Sequence, residues 1–191
     1  MTKTHYISIF LFIITLGLGL YLFVGLGNFP VAIVNSHVIT EKSYRKNMTA
    51  IVNYYEAAEK TYRNVDLGAL VDDRTELGRL SLEQLIENQL VQGELEARLG
   101  GDFDQIVNRK MGDIKKQDEF VRAATALYGL SFADLSELFL APAAEREILD
   151  GKLLLEKTTF DEWLKKAKES ASVTILISSF TWRGGDGVVK E

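Results

Sequence analysis

Asp72, Asp73 and Glu76 place three carboxylates within five residues, the kind of cluster a hard cation needs. No oxygen-rich loop pattern follows them, so they are read as a solvated loop. Asp102 and Asp104 could act as paired acid and base. At the start of a helix, however, acidic residues complement the helix dipole, and that is the reading adopted. Ser36-His37 brings a hydroxyl beside an imidazole, but adjacent strand residues point to opposite faces and cannot form a nucleophile–base pair. Gly184-Gly185-Asp186-Gly187 lacks the strand and helix that turn a Gly-rich loop into a phosphate cradle. Asn47-Met48-Thr49 matches a glycosylation sequon, which matters only in a eukaryotic secretory pathway. The chain has no Cys and only two His, His5 and His37. Disulfides, thiol catalysis, Cys-based zinc sites and iron–sulfur clusters are thereby excluded. No catalytic, cofactor or metal-binding residue is assigned, and the protein is not expected to be an enzyme.

Hydrophobic residues make up 47% of the chain and charged residues 26%, which fits a folded body. The net charge of −5, with no basic block, argues against a nucleic-acid partner. The apolar excess lies at one end. Residues 6–27 carry no charge and no proline. A helix of that length spans about 33 Å, so the segment is read as a transmembrane anchor in contact with a lipid bilayer. A cleaved signal peptide is the alternative, but the apolar run is long and no small-x-small cleavage site follows it. Lys3 precedes the segment and the next basic residue is Lys42. The positive-inside rule then keeps the N-terminus in the cytoplasm and exports the rest.

Three regions are expected: residues 1–29 as cytoplasmic tip and anchor, 30–182 as a helical domain, and 183–191 as a flexible, Gly-rich tail. Val31–Val34 and Val38-Ile39 are β-prone and flank the turn pair Asn35-Ser36. If that turn needs a positive φ, Ser36 stands where Gly would fit more easily. Thr40 caps a helix reaching about Tyr62. Ser81-Leu82-Glu83-Gln84 fits a capping box for a second, with a start before Ser81 as the alternative, striped by Leu82, Leu85, Ile86, Leu90 and Leu95. Phe103, Ile106, Val107 and Met111 mark a third. A fourth stops at Gly129, and Ser131 caps a fifth, restarted or kinked at Pro142. Thr159-Phe160-Asp161-Glu162 is a further capping box. Val173–Ile177 is the only strand expected after residue 40. A strand cannot stay buried with unpaired backbone groups, so it is expected to meet the strand near residue 33.

The order of these motifs resembles the N-terminal domain of the SurA family of extracytoplasmic chaperones, which includes the PpiD and PrsA types. Val31-Ala32-Ile33-Val34-Asn35, then Val38-Ile39-Thr40 and Tyr44, is similar to the family's strand, turn and first helix. Leu82 to Leu90, running on to Leu99-Gly100, resembles its central helix. Glu119-Phe120, Tyr128-Gly129-Leu130-Ser131 and Leu135 resemble the junction of the next two helices. The turn is Asn-Ser here where the family has Asn-Gly. The family's parvulin isomerase domain and its histidines have no counterpart, so prolyl isomerase activity does not carry over. Residues 159–179 resemble the helix and strand that pack back on the N-terminal part.

The fold class expected is therefore mainly α, with a transmembrane helix ahead of a SurA-like domain whose small sheet joins its two ends. The function implied is ATP-independent holding of unfolded or newly exported polypeptides at the cell membrane, with no cofactor. Phe132, Leu135, Leu138 and Phe139 are the candidate client-binding residues, on a helix face expected to be partly open. A non-catalytic scaffold subunit of a membrane assembly is the main alternative. A prolyl isomerase is a weaker one.

Overall fold

The computed structural model describes residue 10 and residues 12–17, 27–61 and 73–191. The transmembrane helix expected over residues 6–27 is corrected. Most of that segment lies outside the described residues, and among the described residues no helix is long and apolar enough to cross a membrane. Residues 10 and 12–17 of the segment are helical. The fold is a mainly helical body with two small antiparallel sheets.

Strands β1 (Pro30–Val34) and β2 (His37–Thr40) form a hairpin. Its turn puts Asn35 at φ 46° and Ser36 at φ 76°, the pair of positive values that matches the twist of two antiparallel strands. Strand β3 (Val173–Ile175) adds to the other edge of β1, with Ala32 opposite Ile175 and Val34 opposite Val173. The first and last thirds of the body thus share one ladder. Burial of Val31, Ala32, Val34 and Ile39 seats this sheet on the helices.

Helix α1 (Glu41–Thr61) starts at Thr40, whose Oγ1 accepts from the Ser43 N–H at 3.2 Å. Helix α2 (Arg74–Leu99) is the axis of the body. It begins at Asp73, not at Ser81: the Asp73 carboxylate accepts from the Glu76 N–H at 2.9 Å. Ser81 sits inside the helix, fully buried, and its hydroxyl donates to Asn47 Oδ1 on α1 at 3.2 Å. The apolar residues of α2 serve two clusters. Leu82, Leu85, Ile86 and Leu90 pack with β1, Leu138, Phe180 and Val188. Val91 and Leu95 pack with Phe103, Val107, Leu149, Leu153 and Phe160.

After a 3-10 turn (Gly100–Asp102) come α3 (Phe103–Lys115), α4 (Asp118–Tyr128) and the short α5 (Phe132–Leu135). Residues Ser136–Leu140 form a π turn that runs directly into α6 (Ala141–Leu155). The cause is local. Pro142 has no N–H, and its ring cannot approach the carbonyl four residues back, so the ladder shifts and the Ala141 N–H bonds to Ser136 O instead. Helix α7 (Phe160–Ser170) opens with a reciprocal capping box between Thr159 and Glu162.

The ending differs from the flexible tail expected over 183–191. Strands β4 (Phe180–Trp182) and β5 (Val188–Lys190) pair as a second sheet around the 3-10 turn Gly184–Asp186. Val188 is 1% exposed, and its carbonyl accepts from Arg79 Nη1 at 3.1 Å. Two strands after residue 40 were therefore missed. Each has three residues, too short to show a period of two.

Candidate functional site

The four residues singled out from the sequence do not share one open face. Leu135 and Leu138 are 0% and 4% exposed, and Leu138 belongs to the core against β1 and α2. Phe132 turns toward α3, where the Lys115 ammonium lies 5.8 Å from its ring centre. Phe139 and the buried Leu135 border one large open cleft, Phe132 borders another beside α3, and the π turn explains the separation. Its wider turn moves successive side chains off ordinary helical spacing, so Leu138 points inward while Phe139 faces α4.

Phe139 stacks on Tyr128 at 4.7 Å between ring centres, and Tyr128 stacks on Tyr54 at 5.6 Å. Tyr55 meets Tyr54 edge-on at 5.6 Å. This aromatic column joins α1, α4 and the π turn. A hollow lies on each side of it. One, of about 540 Å³, is walled by Phe120, Leu127, Leu140 and Pro142, with Arg146 at its rim. The other, of about 460 Å³, is walled by Ile51, Tyr54, Leu80 and Glu83. Gln84, Glu87, Tyr128 and Phe139 border both, so the two read as one groove crossing the column. Phe120 at 49% exposure, Tyr54 at 40% and Leu127 at 36% leave its lip apolar and wet.

Three devices hold the walls. Gly129 ends α4 in the left-handed region at φ 64°. Asn53 Nδ2 on α1 donates to the Tyr128 carbonyl at 2.9 Å, satisfying the helix end and fixing α4 to α1. Ser131 caps α5, and Asp134 pairs with Lys46 of α1.

Charge on the groove floor is compensated. Glu83 accepts from Arg79 at 2.6 Å and from Lys168 at 2.8 Å, and Glu87 pairs with Lys168 at 2.5 Å. Burial, and then the neighbouring Tyr54, pushes the Tyr128 phenol above its ordinary value, so it stays neutral at physiological pH.

The other sequence candidates have structural partners or positions. Asp73 caps α2 and pairs with Lys190 at 3.2 Å, which holds its carboxyl below the usual range. Glu76 pairs with Arg79 at 2.7 Å. Asp72 and His5 lie outside the described residues. Asp102 and Asp104 are exposed where the 3-10 turn enters α3. Ser36 and His37 are exposed at the hairpin tip. Asn47 is fully buried inside α1. Among the described residues, no group of three acidic or histidine side chains is placed to hold a metal ion.

Compared with models of protein families, with curated proteins and with solved structures, this chain matches none. The SurA-type resemblance thus rests on the sequence motifs alone.

Sequence reasoning missed Tyr54, Phe120, Leu127 and Tyr128 as groove residues. The available signal lay in α4: Phe120 and Leu127 share a helical face with Ala123 and Ala124, so large side chains alternate with small ones. Such a face leaves space, where a stripe of leucines fills it. Chemically, the groove offers apolar walls, aromatic faces and two amide side chains, Gln84 and Asn88. It suits burial of apolar side chains from an extended segment.

Proposed function

We propose that this protein holds unfolded polypeptide segments without covalent chemistry and without ATP, burying their apolar side chains in the groove across the Tyr54–Tyr128–Phe139 column. The observation that carries this reading is the open apolar lip that Phe120, Leu127 and Tyr54 form around two adjoining hollows. The SurA-type order of motifs supports it independently.

The energetics suit holding better than capture. A hollow of about 540 Å³ admits one or two side chains. Each apolar side chain fully buried contributes roughly 1.5–3 kcal/mol before the ordering costs of binding. The net is a weak, fast-exchanging contact, and compensated charges on the floor impose no demand for one particular client sequence.

The test is light scattering from a thermally aggregating client with the full chain added in several-fold excess. Suppression is expected, and Phe120→Ser combined with Leu127→Ser should abolish it. Both side chains are already wet, so circular dichroism of the double variant should match the parent. No suppression by the parent, or equal suppression by the double variant, rejects the reading. Pull-down of a single stoichiometric partner with no suppression would instead favour a scaffold subunit.

A further inference from the structure

A second concavity, which shares Asn88 and Pro142 with the groove, lies between β2, α2 and the π turn. Its volume is about 220 Å³. Water's share of liquid volume is about 30 Å³, so the space holds an arginine-sized side chain with water to spare. One wall is apolar, from Val38, Ile39, Leu85 and Leu138. The opposite side is polar and acidic, with Asn88, Gln89 and Gln92 from α2, Glu137 from the π turn and Glu145 from α6.

Glu145 is the anomaly. It is 8% exposed; among the described residues its carboxylate accepts no hydrogen bond and joins no ion pair, and its oxygens keep contact with the solvent in the cavity. A buried carboxylate without a partner is costly unless something outside the fold supplies one. Two positive groups on the neighbouring elements are already taken. Arg98 of α2 pairs with Glu94 and Glu156, and Lys110 of α3 with Glu147. Helix α7 brings apolar Phe160, Trp163 and Leu164 toward α6, and Arg146 lies over the Phe160 ring at 4.0 Å. Glu96 of α2 adds negative charge. Ser43 of α1, the remaining polar group at the cavity, is engaged with Thr40.

We infer that this cavity is a binding site for a guanidinium or ammonium group carried on an alkyl stem, with Glu145 as its buried counter-ion and Glu137 at its mouth. The apolar wall receives the stem, and the amide oxygens of Asn88, Gln89 and Gln92 accept the N–H groups that a carboxylate leaves over. Two carboxylates and neutral amides are too few charged ligands for a hard divalent ion, which takes six or more oxygens. A guanidinium, with five donors in a planar fork and weak hydration, matches the set better. The inference does not rest on the groove reading.

Burial, and then the charge of Glu96, pushes the Glu145 carboxyl up to about 7. Cation binding must therefore compete with a proton near neutrality.

Isothermal titration calorimetry of the full chain tests this with Nα-acetyl-L-arginine methylamide, its neutral citrulline counterpart, and free L-arginine. The blocked arginine is expected to bind at pH 8 and about tenfold more weakly at pH 6, as protonation removes the counter-ion. The citrulline compound should give no heat. Glu145→Gln should abolish binding while the variant's melting temperature at pH 8 stays at or above that of the parent, since a buried charge is removed. Stronger binding of the blocked form assigns the cation to a polypeptide side chain, and stronger binding of free L-arginine assigns it to the amino acid. Either supports the site. No heat from either arginine compound, equal heat from citrulline, or undiminished binding by Glu145→Gln overturns it.

Discussion

Asn35 and Ser172 exchange two hydrogen bonds: the Asn35 N–H donates to the Ser172 carbonyl at 2.9 Å, and the Ser172 N–H donates to Asn35 Oδ1 at 2.9 Å. The hairpin tip thereby fastens the chain just before β3. Asn tolerates the left-handed conformation that this requires, whereas Ser36 next to it does so at a cost of about 1–2 kcal/mol. Ser36→Gly should raise stability by about 0.5–1 kcal/mol, after allowing for the freer unfolded chain. Asn35→Ala should lower it by about 1–2 kcal/mol. Urea midpoints at constant m-value check both.

Gly129→Ala should be among the more damaging single-methyl additions. Its φ of 64° strains any residue with a Cβ, and that Cβ would overlap Asn53 Nδ2. The Asn53 bond to the Tyr128 carbonyl would be displaced, releasing one wall of the groove. A loss of about 2–3 kcal/mol in denaturant unfolding is expected, with client holding reduced even where the variant remains folded. Gly93, where added bulk meets open space inside α2, is the control: Gly93→Ala should be neutral or slightly stabilising.

Burial, and then the charge of Glu96, pushes the Glu145 carboxyl from its ordinary 4.5 up to about 7. Its carboxyl therefore contributes stability that is fully present below about 4.5 and is lost as pH rises through about 7. The swing is of order 3 kcal/mol. Glu145→Gln removes it, so the variant's stability relative to the parent should grow between about pH 4.5 and about pH 7 and be flat on either side of that window. Thermal unfolding across the range measures the difference. A constant difference would refute the buried-charge argument.

Removing residues 184–191 should unfold or severely weaken the body. The loss includes β5, the buried Val188, the Arg79–Val188 contact and the cover over Phe180. Several kcal/mol of apolar burial and hydrogen bonding go with it. Limited proteolysis gives the same information: a loose tail would be clipped first, whereas this one should resist.

Much of the helical frame was legible because caps are local chemistry. Thr40, Ser131 and Thr159 each accept a backbone N–H from three residues on, and Gly129 ends its helix as the pattern implies. Ser81 misled because Ser-x-x-Gln also fits a mid-helix serine. The cap was Asp73, which had been weighed as a metal ligand. The β1–β3 ladder followed from the need to pair a lone strand, whereas β4 and β5 depend on contacts with β3, with α2 and with each other. The groove was illegible for a different reason. Which of Leu138 and Phe139 faces outward depends on the π turn, and a pattern read at 3.6 residues per turn assigns both to one stripe.

A bond that reaches back five residues encloses one residue more than an ordinary helical turn. The segment joining α5 to α6 is thus a regular helix carrying a single-residue insertion. Deleting one residue between 136 and 140, together with Pro142→Ala, would let the rod heal while α5 and α6 keep their own bearings on the core. Leu135 and Leu149 would stay seated, and only the outward swing of Phe139 would vanish. Shortening the chain by one link would thus separate what keeps this body upright from what gives it a mouth.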